Sequence, residues 1–288
     1  MTDLGSLFFE RVAVIGVGLL GASFALAAKE GRVCGHLRGY GRSEANLMRA
    51  QERGIINDYS LNLQEACDGA DLILLSTPVG SFRPIVEEIR KGLSKGAIVT
   101  DVGSVKGQLV YDLEALMPEG VRYVGSHPIA GSHRSGSDEA RPDLYRNSRC
   151  IVTPTETSDQ EARERIISLW ERLGSRVEVM NPFRHDEIYA AVSHLPHLIA
   201  YAMVNTVGAI DQSYISYAGQ GFKDSTRIAL SSPEMWRDIS LLNRDNLISF
   251  TGIFRENLDR ILKCMEEGDG SGVERELRQA QELRQRLQ

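Results

Sequence analysis

Paired cysteines, long apolar runs and an excess of basic residues are all missing from this sequence of 288 residues. The four cysteines are scattered and form no CxxC pair, which argues for reduced thiols and against a disulfide framework or a zinc site. No stretch is long and apolar enough to span a bilayer, and residues 1–10 lack the basic start and apolar run of a signal peptide. We therefore expect a cytoplasmic protein that does not enter a membrane.

Positive charge is also too scarce for a protein that binds nucleic acid. The formal net charge is -6, whereas neutralising phosphates requires an excess of Lys and Arg on at least one face. Small anions remain candidate ligands wherever basic side chains cluster locally. The composition is otherwise that of a globular protein, with 42% hydrophobic and 25% charged residues, so disordered and fibrous classes are excluded.

Short apolar runs alternate with helical patterns from residue 11 onward, which is typical of an α/β fold with a parallel sheet covered by helices. The predicted strands are 12–15, 37–40, 72–76, 98–102, 123–125, 150–153 and 177–179. Helices are predicted between them, among others at 20–29, 44–53 and 161–173. The strand pattern stops after about Pro182. We therefore predict a Rossmann-type dinucleotide-binding domain over 1–181 and an all-helical domain over 182–288.

The predicted helical domain contains apolar segments that would be difficult to bury within one chain. Residues 198–207 are mostly apolar and belong to a long helical segment, 185–208, that Pro196 interrupts. A helix that is apolar on most sides needs a partner surface, and symmetric homo-oligomers commonly supply one. We expect a homodimer formed through this domain.

A glycine-rich turn follows the first predicted strand. Gly16, Gly18 and Gly21 form GxGxxG directly between the strand at 12–15 and the helix at 20–29. In dinucleotide-binding proteins the first glycine permits a tight turn, the second lets the backbone approach the pyrophosphate, and the third allows close helix packing. An ordinary turn is the simpler alternative. The context favours a nicotinamide-dinucleotide site that also includes Leu19 and Leu20.

The end of the second predicted strand bears on the choice between NAD+ and NADP+. A carboxylate there would bind the ribose 2'-hydroxyl and repel a 2'-phosphate, but this sequence has Arg42 and Ser43. Arg42 offers a planar fork of donors, and Ser43 could cap the next helix, so the two suit a phosphate. We expect NADP+ to be favoured, with NAD+ as the alternative. A solvent-facing arginine beside an ordinary cap would look the same in sequence.

Polar residues follow three more predicted strands at their carboxyl ends, where ligands bind in such sheets. They are Ser76, Thr77 and Pro78, then Gly103 and Ser104, and then His127. An imidazole titrates near neutral pH and can take the proton of a carbinol while hydride leaves the same carbon. His127 is therefore the best general-base candidate, with Ser104 holding the same hydroxyl in line. A histidine that merely satisfies a turn is the alternative.

Seven short motifs run in order from about residue 12 to residue 240. They are VIGVGLLGAS, TDVGSVKG, SHPIAGSHRSG, the HD at His185 and Asp186, VSHLPHLIA, GFKDSTRIA and PEMWRDI. Together they resemble the prephenate and arogenate dehydrogenase family, whose enzymes make the last or penultimate precursor of tyrosine. The resemblance implies a Rossmann domain, a helical dimerisation domain and an active site in the cleft between them. It also implies oxidative decarboxylation of a cyclohexadienol, with hydride transfer to NAD(P)+ and no metal.

The resemblance further implies roles for individual residues. His127 becomes the general base, Ser104 its partner at the hydroxyl, and the substrate-side His and Arg of the family fall on His197 and Arg227. A dianionic substrate needs fixed positive charge and hydrogen-bond donors. Arg227 supplies these through its bidentate fork and His197 through a ring nitrogen.

Three more residues are expected at the substrate. Asp224 precedes Arg227 by three residues, so on a helix it could hold the guanidinium, and His194 shares a helical face with His197. His133 is a departure, because relatives often have an acidic residue there. A missing carboxylate near a substrate ammonium favours the keto acid. We therefore expect prephenate as substrate, with arogenate or dual specificity as the alternative.

Two other functions stay open. The 3-hydroxyacid dehydrogenases also join a Rossmann domain to helices but typically use a catalytic lysine, for which Lys223 is the candidate in GFKDSTRIA. A nicotinamide-sensing regulator without chemistry is the second, although a base and an anion clamp together argue against it. His185 and Trp236 match family motifs as well, yet a helix-start histidine and a core tryptophan explain them nearly as well.

Overall fold

The structure, a computed structural model, describes residues 8–131 and 136–287. In this part of the chain an eight-stranded sheet has the order β3-β2-β1-β4-β5-β6-β7-β8. The strands are β1 (Phe9–Ile15), β2 (Cys34–Tyr40), β3 (Asp58–Ser60), β4 (Leu72–Leu75), β5 (Ile98–Asp101), β6 (Arg122–Pro128), β7 (Arg149–Thr153) and β8 (Arg176–Val179). The order of the first six is that of a doubly wound dinucleotide-binding sheet.

Helices connect the strands and cover both faces of the sheet. They are α1 (Leu19–Glu30), α2 (Glu44–Glu52), α3 (Leu63–Cys67), α4 (Phe82–Ile89), α5 (Gly107–Ala115) and α6 (Gln160–Arg172). Successive residues of a strand point to opposite faces, so Val14 packs in one apolar cluster and Ile15 in the other. All four residues of β4 are buried, which explains its uninterrupted apolar sequence.

The sheet is mixed, and this corrects the expectation of a parallel one. Strands β1 to β6 are parallel, whereas β7 runs antiparallel to β6 and β8 parallel to β7. A parallel neighbour requires a crossover, usually through a helix. The described part of the connection from β6 to β7 holds one 3-10 turn, Ser137–Glu139, so the chain returns antiparallel.

The short strand β3 was not predicted from the sequence. It lies at the edge of the sheet and consists of Asp58, Tyr59 and Ser60, paired with β2. Neither three residues nor this composition produces a recognisable strand pattern. The predicted strands at 72–76 and 98–102 each end one residue earlier in the structure, within the ordinary uncertainty of element ends.

The remainder of the described chain is helical. It consists of α7 (Pro182–Tyr189), a π-helical turn (Ala190–His194), α8 (Leu195–Ile210), α9 (Gln220–Thr226), α10 (Pro233–Leu242), α11 (Arg244–Glu266) and α12 (Gly270–Gln285), with 3-10 turns at Gln212–Tyr217 and Arg227–Leu230. The α/β fold class followed by helices is therefore confirmed. Because β8 ends at Val179 and α7 begins at Pro182, a domain division at residue 181 would fall between elements, and it remains a proposal.

The helical region breaks at the π-helical turn and not at Pro196. That proline lies in the first turn of α8, where backbone N–H groups have no partner within the helix. Its missing N–H therefore costs no helical hydrogen bond. Both α7 and the π-helical turn carry buried histidines, so this junction brings ring nitrogens toward the sheet.

Two parts of the helical region have opposite environments. Trp236 and Ile239 of α10 are buried in the cluster that contains Val79 and Phe82, so α10 packs on the loop and helix after β4. Of the 16 residues of α8, all of them described, Ala200 alone is buried. Within the described residues, none of the helices has the length and apolar character needed to cross a bilayer.

Candidate active site

The glycine turn between β1 and α1 depends on its glycines for different reasons. Gly16 has φ +102°, and a Cβ there would lie 2.7 Å from the Ser76 carbonyl oxygen. A Cβ at Gly21 would overlap the Gly16 carbonyl oxygen and Ser76 Oγ, whereas one at Gly18 would meet nothing within 4 Å. Gly18 is therefore the open position, at the start of α1, where backbone N–H groups can receive a pyrophosphate.

Residues after β4 support this turn. Ser76 Oγ donates a hydrogen bond to the Gly16 carbonyl oxygen at 2.5 Å, and Thr77 Oγ1 accepts one from Ser81 Oγ at 2.7 Å. Ser76 thus holds the glycine turn. Gly103, also predicted at the cofactor, is buried, and a Cβ there would overlap Val79 and Phe82. Its lack of a side chain permits close packing.

The loop after β2 presents positive charge to solvent. Arg42 is exposed and makes no ion pair with any of the described residues, and Ser43 Oγ accepts a hydrogen bond from the Asn46 N–H at 3.3 Å to cap α2. Asn46 in turn donates to the Val17 carbonyl oxygen at 2.9 Å, which ties this cap to the glycine turn. This edge therefore combines a helix N-terminus with an arginine that pairs with no carboxylate among the described residues.

A cleft of about 550 Å³ lies between the carboxyl ends of the strands and the helical region; we call it the interdomain cleft. Its lining includes Ser104, His127, Tyr189, Ser193, His197, Arg227 and Trp236. Four residues that the sequence predicted for catalysis and substrate binding, Ser104, His127, His197 and Arg227, therefore meet in one cavity. They come from two strand ends, α8 and the turn after α9.

His127 lies near the end of β6 and is half-buried. Its Nδ1 is 2.8 Å from His185 Nε2, and His185 Nδ1 is 2.8 Å from Asp186 Oδ1. The Tyr189 ring packs edge-on against His127, with ring centroids 5.1 Å apart. Burial, followed by the nearby His185 and Lys106, holds the pKa of His127 well below its usual value, so the ring is neutral at neutral pH and can accept a proton.

The loop that carries Ser104 is held by a buried charged cluster. Lys106 Nζ pairs with Asp101 Oδ1, and the same carboxylate accepts hydrogen bonds from the Gly103 N–H at 2.6 Å and the Tyr123 hydroxyl at 2.6 Å. A buried ion pair of this kind is tolerated when further hydrogen bonds satisfy its partners. The Lys106 N–H donates to Asp186 Oδ1 at 2.7 Å, which links this loop to α7.

The opposite wall of the cleft carries His197 and Arg227. His197 stacks on Trp236 with ring centroids 3.6 Å apart, and its Nδ1 is 2.9 Å from the Ser193 carbonyl oxygen, which therefore accepts. Nε2 of His197 is left for a ligand. Burial, and then the charge of Arg227, lowers the pKa of His197, so the ring is neutral; with its proton on Nδ1, its Nε2 presents a lone pair to a ligand beside the permanent cation of Arg227.

His194 backs this wall and does not line the cleft. It is 1% exposed, its Nδ1 is 3.1 Å from Asn243 Nδ2, and its Nε2 has no hydrogen-bond partner within the described part of the chain. Burial lowers the pKa of His194 to about 4. His194 was predicted to share a helical face with His197 at the substrate. In the structure it lies behind the cleft wall that carries His197 and supports that wall.

Asp224 is a further predicted substrate residue that does not line the cleft. Asp224 is exposed on α9 and accepts a hydrogen bond from Gln220 Nε2 at 2.7 Å, whereas no ion pair joins it to Arg227 in the described chain. Arg227 begins a 3-10 turn, which changes the helical spacing on which the pairing was predicted. His133 lies outside the described residues.

Sequence reasoning missed the buried supports of the site. They are Asp101, Lys106, Tyr123, Tyr189 and Asn243, while His185, Asp186 and Trp236 were noted as motif matches without a role. Lys106 stands inside TDVGSVKG, so the motif was a signal, but its full burial was not. Within residues 8–131 and 136–287, no three His, Cys, Asp or Glu side chains are grouped so that they could hold a metal ion.

Comparison with known proteins agrees with this geometry. The family model described as prephenate dehydrogenase, nucleotide-binding domain, matches residues 24–179, and the one described as prephenate dehydrogenase, dimerization domain, matches residues 181–279. A prephenate dehydrogenase of Bacillus subtilis is 31% identical over 282 residues, which cover 96% of this chain and 76% of that protein.

Two further relatives match nearly end to end. A cyclohexadienyl dehydrogenase of Zymomonas mobilis is 31% identical, over 96% of this chain and 95% of its own. The crystal structure of a prephenate dehydrogenase from A. aeolicus, in complex with hydroxyphenyl propionate and NAD+, superposes with a TM-score of 0.92 at 35% identity, covering 98% of this chain and 100% of that one. This chain is a nicotinamide-dinucleotide-dependent oxidoreductase and belongs to the prephenate dehydrogenase family.

Proposed function

We propose that this enzyme oxidises and decarboxylates prephenate to 4-hydroxyphenylpyruvate in tyrosine biosynthesis. The observation that carries the proposal is the interdomain cleft, which places a neutral imidazole, His127, opposite the cationic fork of Arg227. A base on one wall suits the ring hydroxyl, and a cation on the other suits a carboxylate of the same substrate. A nicotinamide dinucleotide held by the glycine turn would supply the hydride acceptor.

In this reaction His127 takes the hydroxyl proton at the carbinol carbon, and Ser104 holds that hydroxyl in line. The C–H bond breaks with its electron pair, which leaves as hydride, and the bond to the ring carboxylate breaks to release carbon dioxide. The electrons from that second bond complete the aromatic ring, and the resulting phenolate oxygen takes the proton back from His127. His197 and Arg227 hold the substrate by hydrogen bonds and charge, so the four residues need only position it and move one proton.

The substrate choice is tested by supplying prephenate and arogenate separately to the purified enzyme. We expect kcat/KM to be at least about tenfold higher for prephenate, because about 1.4 kcal/mol of discrimination suffices for that ratio. The product identifies the reaction as well, since prephenate gives 4-hydroxyphenylpyruvate and arogenate gives tyrosine. A preference for arogenate, or equal use of both substrates, would contradict the prephenate assignment.

We also propose that NADP+ is the preferred cofactor. Support comes from the exposed Arg42 beside the cap of α2, at the position where a carboxylate would select NAD+. The Arg42→Ala variant should lose about tenfold or more in kcat/KM with NADP+ and little with NAD+, since one charge-assisted contact contributes about 1.5–3 kcal/mol. Arg49→Ala, an exposed arginine on the same helix, is the matched control. A wild-type preference for NAD+ would overturn this assignment.

We further propose that two copies pair through the helical domain and that the enzyme acts in the cytoplasm. The dimer is supported by the exposed apolar residues of α8 and of the 3-10 turn after it, among them Ile210 at 67% and Ile215 at 48% exposure. The cytoplasmic location is supported by four free cysteines, of which Cys67 is buried with its pKa raised by burial to about 12.

A further inference from the structure

We propose that Asp186 is a positioning residue that fixes the tautomer of the base His127 through His185 and holds the Ser104 loop with the same carboxylate oxygen. The role of His127 as base rests on the proposed function, whereas the assignment of which ring nitrogens of His127 and His185 carry protons does not. His185 and Asp186 do not line the interdomain cleft, so both act through other residues.

The three side chains form a continuous chain of hydrogen bonds from α7 to the end of β6. Asp186 Oδ1 is 2.8 Å from His185 Nδ1, and His185 Nε2 is 2.8 Å from His127 Nδ1. His185 is fully buried, and Asp186 is 4% exposed. Water is therefore excluded from the His185–Asp186 end of the chain, and these groups satisfy one another.

The direction of each hydrogen bond follows from the carboxylate. An ionised carboxylate can only accept, so the proton on His185 must sit on Nδ1. A neutral His185 then has a lone pair on Nε2, so His127 must donate from Nδ1. The lone pair of His127 is then on Nε2. This nitrogen lies on the side of the ring away from His185, and His127 lines the cleft. A base needs a free lone pair on the substrate side, and this chain provides it.

The surroundings keep His185 neutral, as this arrangement requires. Burial, and then the positive charge of Lys106, holds the pKa of His185 well below its usual value. Burial also raises the pKa of Asp186 to about 6, so its carboxyl is mainly ionised at neutral pH. The titratable groups around these hydrogen bonds are Asp101 at the end of β5, Lys106 from the Ser104 loop, Cys150 from β7, Tyr189 from α7 and His194 from the π-helical turn.

The same carboxylate also reaches the other catalytic loop. Asp186 Oδ1 accepts a hydrogen bond from the Lys106 N–H at 2.7 Å, two residues after Ser104. Gly107 permits this approach, because its φ is +26° and a Cβ there would lie 2.6 Å from Asp186 Oδ2. One carboxylate oxygen thus fixes the positions of the base and the Ser104 loop relative to each other. Its loss should lower kcat more than it raises KM.

Asp186→Leu is the first test, made in the full-length enzyme, because Asn would keep an oxygen that can accept both hydrogen bonds. We expect kcat to fall about 10²–10⁴-fold with KM for both substrates within about threefold, as when a histidine base loses its orienting carboxylate. In the wild type, protonation of Asp186 should contribute an acid limb to the kcat profile near pH 6, and the variant should shift that limb to lower pH. Asp58→Leu, which removes a carboxylate paired with Arg38 outside the cleft, is the matched control.

Two His185 variants separate positioning from packing. His185→Gln can still accept from His127 and donate to Asp186, so we expect it to recover at least about tenfold of the kcat that His185→Leu loses. A purely structural role predicts instead that both variants lose activity in proportion to their loss of thermal stability, with the acid limb unmoved. Folded variants of Asp186 and His185 with kcat within about threefold of the parent would overturn the proposal.

The tautomer can be measured without any substitution. Selective ¹⁵N labelling of the six histidines, with long-range ¹⁵N–¹H correlation, distinguishes protonated from free ring nitrogens. We expect the proton of His127 on Nδ1 and that of His185 on Nδ1 near neutral pH. A proton on His127 Nε2 would refute the inference even in an active enzyme. Conversely, the expected tautomers in an enzyme that does not turn over prephenate would refute only the proposed function.

Discussion

At the scale of single residues, the assignment of the base is the most direct prediction. His127→Asn keeps a polar side chain but cannot take a proton at neutral pH, so kcat should fall about 10²–10⁴-fold. Lys223→Met should keep turnover, because Lys223 is exposed on α9 and outside the cleft lining. Steady-state rates of both variants with prephenate decide the matter. The reverse outcome would indicate the lysine-dependent chemistry of 3-hydroxyacid dehydrogenases.

The buried histidines also predict how stability varies with pH. His194 has a folded-state pKa of about 4, below the ordinary value near 6.5 of an unfolded chain, so the unfolded state binds the proton more readily. Its contribution is fully present above pH 6.5 and is lost as pH falls toward 4, by about 3 kcal/mol in total. His127 and His185 act in the same direction, while Asp186, whose pKa is raised, acts in the opposite one.

We therefore expect a net fall in the free energy of unfolding between about pH 7 and about pH 5. Denaturant unfolding at each pH, with ionic strength held constant, measures it. A free energy that stays level or rises on acidification would show that these rings are charged or exposed in the folded protein.

The positions of the predicted catalytic residues were easier to infer from the sequence than the buried residues that support them, for a physical reason. Ser104 and His127 follow strands, and the carboxyl ends of parallel strands share one edge, so a local pattern placed them together. The bond from the Lys106 N–H to Asp186 joins residues 80 positions apart. Which buried charge meets which partner depends on the packing of α7 against α5, and no local spacing encodes that.

At the scale of elements, the β1–α1 turn separates glycines that serve the fold from the glycine that serves the ligand. Gly21→Ala should destabilise the protein by about 1–3 kcal/mol or more, because the added methyl overlaps Gly16 and Ser76. Gly18→Ala should unfold like the parent, since nothing lies within 4 Å of the added atom, yet it should raise KM for the dinucleotide. Thermal unfolding and dinucleotide titration of the two variants test this, and equal effects on both quantities would contradict it.

Element prediction succeeded where sequence periodicity was strong. The buried strands and the glycine turn follow from apolar runs and a motif in context. The orientation of β7 could not be predicted, because it depends on the connection from β6. The described part of that connection contains a 3-10 turn and not the helix that a parallel crossover usually has. The short polar strand β3 forms because it pairs with the edge of β2. This is a tertiary contact that the local sequence does not encode.

At the scale of the whole molecule, the exposed apolar surface of the helical region predicts that the folded chain pairs with a second copy. Ile210 and Ile215 lie on α8 and the turn after it, where a groove also runs between Val204 and Ser216. Large exposed patches of this kind mark interfaces, and pairing two copies would remove them from water. Because α8 also carries His197, an interface at this surface would share one helix with the cleft.

The double variant Ile210→Glu, Ile215→Glu should therefore be monomeric, since burying two carboxylates in an apolar interface costs several kcal/mol. Sedimentation velocity gives the mass, and the midpoint of thermal unfolding should lose the concentration dependence expected of a dimer. Leu61→Glu, at 51% exposure on the loop after β3, is the matched control and should leave both unchanged. If the double variant stays dimeric, the interface lies on another face, and the exposure of α8 needs a different partner.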